Sequence, residues 1–89
     1  MKELTELGER IRRQRIAMQV KQADLAEKAA VSIKVIIAVE NGRSITTESL
    51  VRILRSLGYA EALANILPPP AISPIDLQKL AGKQRQRVR

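Results

Sequence analysis

The chain has 89 residues, with 16 basic and 9 acidic side chains, no histidine and a net charge of +7. That length holds one small domain and leaves no room for a deep enzyme cleft. The absence of cysteine and histidine excludes disulfides, thiol and imidazole catalysis and the common zinc sites, so neither a metal nor another cofactor is expected.

Up to Leu67 the apolar residues recur with a helical period and no segment alternates like a half-buried strand, so the fold class is all-α. The first helix is expected from about Leu4 to Met18, with Leu4, Leu7, Ile11 and Met18 on one stripe and Glu3, Glu6, Glu9, Arg10, Arg12 and Arg13 elsewhere. A second runs from about Gln22 to Ala29, turning Leu25, Ala26 and Ala29 inward. Ser32 is a good N-cap for a third helix that reaches Glu40 and is stopped by Asn41-Gly42, one of which takes the left-handed conformation.

Thr46 caps a fourth helix through Leu57, whose Leu50, Val51, Ile53, Leu54 and Leu57 make the largest apolar face, and Gly58 closes it. Ala60 to Leu67 reads as a fifth, short helix ended by Pro68-Pro69-Pro70. Beyond that stiff spacer, Ser73-Pro74 and Asp76 open a short amphipathic helix carrying Ile75, Leu77 and Leu80, with Gly82 as its stop. Residues 1–67 are therefore the domain and 68–89 an appendage.

The charge is uneven along this layout. Residues 79–89 hold five basic groups and no acidic one, which leaves +2 over residues 1–78. Such a tail either meets a polyanion or is simply solvated. Tyr59 is the only aromatic residue, which argues against stacking of single-stranded bases and makes RNA a weaker candidate than duplex DNA. The longest apolar run, Val35 to Val39, is far too short for a membrane span, and no signal peptide is seen. The expected setting is therefore the cell interior, as a soluble protein.

The second and third helices carry the functional signal. In Gln22 to Val39, QADLAEKAAVSIKVIIAV, small Ala26 permits a close crossing while Leu25, Ala29, Val31, Ile36 and Val39 bury it. Ile33, Lys34, Ile37 and Ala38 are left facing out. That spacing resembles a helix-turn-helix, whose second helix enters the major groove, and it is also what any small helical bundle places in its core. With LGERIRRQR before it and Val39-Glu40-Asn41-Gly42 and Leu57-Gly58 after it, the stretch from about residue 4 to 67 resembles the lambda-repressor/Cro-like, or XRE, family.

That resemblance implies a five-helix DNA-binding domain, without enzymatic activity, acting as a homodimeric repressor on a palindromic operator in double-stranded DNA. Lys21, Gln22 and Arg43 then meet phosphates, and Ile33, Lys34, Ile37 and Ala38 face the bases. Ser32 either caps its helix only or also touches a phosphate, and Lys34 meets a guanine or a phosphate. Arg15 and Glu40 stand where the family places an ion pair joining the first helix to the end of the third. Its loss costs about 3–5 kcal/mol if buried and below about 1 kcal/mol if exposed.

The chain departs from the family pattern at two points. Ala30 stands where the corner is normally glycine, at a cost of about 1 kcal/mol for a left-handed alanine. The third helix is apolar where polar base-readers are common, so its isoleucines can touch thymine methyls but pair with no donor or acceptor.

The stretch ILPPPAISPIDLQKLAGKQRQRVR resembles the C-terminal extension of HipB-type antitoxins. It implies an antitoxin that represses its own operon and binds a HipA-like kinase toxin. Ile75, Leu77 and Leu80 then dock on that partner, on the second subunit, or back on their own domain. The alternatives are a stand-alone phage-type repressor and a partner-binding subunit for which DNA is secondary.

Overall fold

A computed structural model describes residues 1–67 together with Pro70. The chain forms α1 (Lys2–Ala17), α2 (Gln22–Ala29), α3 (Ile33–Glu40), α4 (Thr47–Ser56) and α5 (Leu63–Ile66), and the described residues contain no strand. α3 packs on α1 and α2, and α2 also packs on α4.

The core forms where the apolar stripes of four helices meet. Ile11 of α1, Leu25, Ala26 and Ala29 of α2, Ile36 and Val39 of α3, and Ile53 of α4 with the capping Leu57 are buried together. Leu7, Val20, Val31, Val35, Ile45 and Leu50 close its edges. Burial of Ala26 and Gly8 lets helices approach closely. A Cβ on Gly8 would lie 2.1 Å from the Val39 carbonyl oxygen, so α1 crosses the end of α3 backbone to backbone.

The four long helices end in the same way. After α1, α2, α3 and α4 the backbone N–H groups of Val20, Val31, Arg43 and Tyr59 bond back to the carbonyls of Arg15, Ala26, Ala38 and Leu54, while the preceding residue's N–H bonds to the carbonyl three residues before it. This paired closure needs a left-handed residue. Gly42 (φ +77°) and Gly58 (φ +90°) supply it cheaply, whereas Gln19 (φ 59°) and Ala30 (φ 60°) adopt it with a side chain attached. Gly42 is doubly required, since a Cβ there would also lie 2.9 Å from the Thr5 hydroxyl oxygen.

Three expectations need correction. α1 begins earlier and ends at Ala17, so Met18 is a cap residue and 40% exposed rather than part of the inward stripe. On α4, Val51 points outward, because the buried side of a ten-residue helix is claimed by Ile53, with Leu50 and Leu54 at its borders. The fifth helix is reduced to four residues, since Ala60, Glu61 and Ala62 are spent in turns after Gly58. The amphipathic segment at Ile75, Leu77 and Leu80 and the basic tail lie outside the described residues.

Candidate nucleic-acid interface

Three local features hold the corner between α2 and α3. Ala30 takes the left-handed turn; Ser32 then caps α3 by accepting the Val35 backbone N–H at 3.3 Å. From α4, the Arg52 guanidinium donates to the Ala30 carbonyl at 3.3 Å and also pairs with Glu48 at 3.0 Å. The corner is therefore tied to a third helix.

At the opposite end of α3 a partly buried polar cluster joins three helices. The Arg15 guanidinium donates through Nε to Glu40 Oε2 at 2.6 Å and through a terminal nitrogen to Glu40 Oε1 at 3.1 Å, and it also reaches the Val20 carbonyl at 2.9 Å. Gln22 Nε2 donates to Glu40 Oε1 at 3.1 Å. The Arg15 and Glu40 side chains keep only 12% and 4% of their exposure, so the forked pair lies among the helices rather than in water. Two-pronged geometry of this kind fixes orientation as well as distance. Here it sets the start of α2 and the end of α3 against α1.

The outer edge of α3 is then presented to solvent. Ile33 and Ile37 are 43% and 39% exposed, Lys34 is exposed between them, and Ala38 is half-buried. Glu40, the one acidic residue of α3, is neutralised by Arg15. Lys21 and Arg43 are exposed and flank the cluster at Glu40, one just before Gln22 and the other three residues beyond Glu40. Ser32 is exposed at the other end of α3.

The start of α2 has no side-chain cap, so its first backbone N–H groups are open to an anion, with Asp24 in the same turn opposing one. The Gln22 side chain, read from the sequence as a phosphate ligand, spends one amide hydrogen on Glu40 and retains the other and its oxygen.

Gly8 and Arg52 escaped the sequence reading. A glycine inside the otherwise regular stripe of the first helix was the available signal for the former. For the latter it was an arginine four residues after Glu48 that is free to reach further than its own helix.

Among the described residues no group of side chains could hold a metal ion, and no helix is long and apolar enough to cross a membrane. No curated protein matches the chain. The model of the helix-turn-helix family matches residues 11–63, more than half of the chain, and spans the Ile11 side of α1, both helices of the corner and all of α4. With that match laid over the corner, its cap and its exposed third helix, the chain belongs to the lambda-repressor/Cro-like helix-turn-helix family of DNA-binding transcription regulators.

Proposed function

We propose that the chain is a sequence-specific repressor that works as a homodimer, placing α3 of each subunit in successive major grooves of a palindromic operator about one helical turn apart. The observation that carries this reading is the uncovered edge of α3, Ile33, Lys34, Ile37 and Ala38, held outward by a capped corner at one end and the Arg15–Glu40 pair at the other. Lys21, Gln22 and Arg43 set the position on the phosphates, and Ser32 adds a hydroxyl at the other end of α3. Support for pairing of two subunits comes from an apolar groove of about 410 Å³ between α1, α4 and α5, where Leu7, Leu54, Tyr59 and Ile66 leave carbon surface for another chain to cover.

The antitoxin role deepens this proposal and rests on the sequence of residues 66–89. In it, Ile75, Leu77 and Leu80 hold a HipA-like kinase toxin while the domain holds the operator, giving autoregulation of the pair. A pull-down from the native cell, with and without nuclease, tests both parts. A nuclease-sensitive duplex fragment supports the repressor, and a nuclease-resistant kinase supports the antitoxin. Capture of neither would overturn the combined reading.

A further inference from the structure

The composition of α3's outward edge bears on which bases it can read. From Ser32 to Glu40 the side chains able to hydrogen-bond are Ser32, Lys34 and Glu40. Ser32 Oγ is engaged in capping and Glu40 is enclosed by Arg15 and Gln22. Lys34 is thus the single charged head free on that edge, the Ser32 hydroxyl keeps only its own hydrogen to donate, and no amide or guanidinium stands there to fork onto a purine. On either side of it, Ile33 and Ile37 expose branched hydrocarbon one helical turn apart.

Hydrocarbon gains nothing from a phosphate and cannot satisfy a base's donor or acceptor. The one apolar group that the major groove offers is the C5-methyl of thymine. Two side chains four residues apart sit about 6 Å apart along the helix axis, which spans about two base-pair steps of roughly 3.4 Å. The neighbouring cations at Lys21, Lys34 and Arg43 favour a polyanionic duplex over an apolar protein surface as the occupant of this edge.

Resting on the proposed operator binding through α3, we infer that this chain selects its half-site by thymine methyl groups, with Ile33 and Ile37 each seated on one methyl and the two thymines about two steps apart. Lys34 supplies the single polar contact between them.

The test uses the full chain to select duplexes from a random-sequence pool, after which the selected duplex is resynthesised with deoxyuridine replacing thymidine at each position singly and at the two positions together. Thymines at that spacing are expected in each half-site. Removing one methyl is expected to weaken binding about fourfold, and removing both about fifteenfold, from the transfer free energy of a buried methyl-sized group. Ile33→Ala should abolish the response at one position and Ile37→Ala at the other. Both residues are surface-exposed, so an unchanged melting temperature confirms that the variants are folded.

Equal binding of the uridine duplex overturns the inference while leaving operator binding intact. A uridine effect that persists in both alanine variants also overturns it, because the duplex itself is then the cause. Unchanged DNA affinity of both variants overturns it as well, because the isoleucines then contribute nothing to the duplex. Failure to select any duplex overturns the parent reading and this one together.

Discussion

Gly8 and Val39 come together without side chains between them: a Cβ on Gly8 would fall 2.1 Å from the Val39 carbonyl oxygen, a backbone atom near the last turn of α3. Neither group can swing aside. Gly8→Ala is therefore expected to lower stability by about 2–3 kcal/mol despite alanine's better helix propensity, because α1 must lift off α3. Urea unfolding measures it, and a stability equal to or above that of the parent would contradict the close crossing.

The Arg15–Glu40 pair makes an opposite kind of test, one of loss. Arg15→Ala or Glu40→Ala alone is expected to cost about 3–5 kcal/mol, since either leaves an enclosed charge with too few partners. In a domain of this size each kcal/mol lowers the melting temperature by about 4–8 °C. Replacing both with apolar residues, Arg15→Met with Glu40→Leu, should be milder than either alanine variant. Thermal melts in which the double variant is the least stable of the three would show that the pair stabilises by attraction rather than by avoiding an orphan charge.

Much of this architecture could be read in the sequence because it is local. Ser32 and Thr46 announce their caps, Gly42 and Gly58 their helix ends, and Ile11, Leu25, Ile36, Val39 and Ile53 fall on stripes that the fold buries. What stayed hidden depends on partners far along the chain. Gly8 looks like a helix weakness until α3 is laid across it, and Arg52 looks like an exposed i,i+4 partner until the Ala30 carbonyl arrives. Met18 keeps its helical phase on paper, but the left-handed turn at Gln19 ends the helix before that phase has meaning. The exposed edge of α3 was legible because the buried residues left it over, whereas the bond from Gln22 to Glu40 was not, because it crosses two elements.

The left-handed corner leads to a stabilising change. Ala30 is exposed, so removing its methyl sacrifices no packing, and Ala30→Gly relieves about 1–2 kcal/mol of strain against about 0.4–1 kcal/mol of extra freedom in the unfolded chain. A net gain of up to about 1 kcal/mol is expected. Ala30→Val should move the other way. A melting temperature that falls in the glycine variant would count against the strain argument.

Salt titration separates the roles of the exposed cations in operator binding. Loss of one phosphate contact lowers the slope of log affinity against log salt by about 0.9, and each substitution removes one contact from both subunits of the dimer, so Lys21→Ala and Arg43→Ala should each flatten the slope by about two. Lys34→Ala should weaken binding to the preferred duplex and leave the slope in place if it meets a base. Flattening by Lys34→Ala would reassign it to the backbone. Removal of residues 82–89 should flatten the slope only if the basic end touches DNA.

Two isoleucines left wet on the outside of α3 also give association a calorimetric signature. When the duplex closes over them, structured hydration is stripped away and the heat capacity of the system drops. Titration calorimetry at several temperatures should then return an enthalpy that grows more exothermic on warming, and truncating both isoleucines should shallow that trend. A grip made of ionic contacts alone has no hydrocarbon to dry and would lack this contribution.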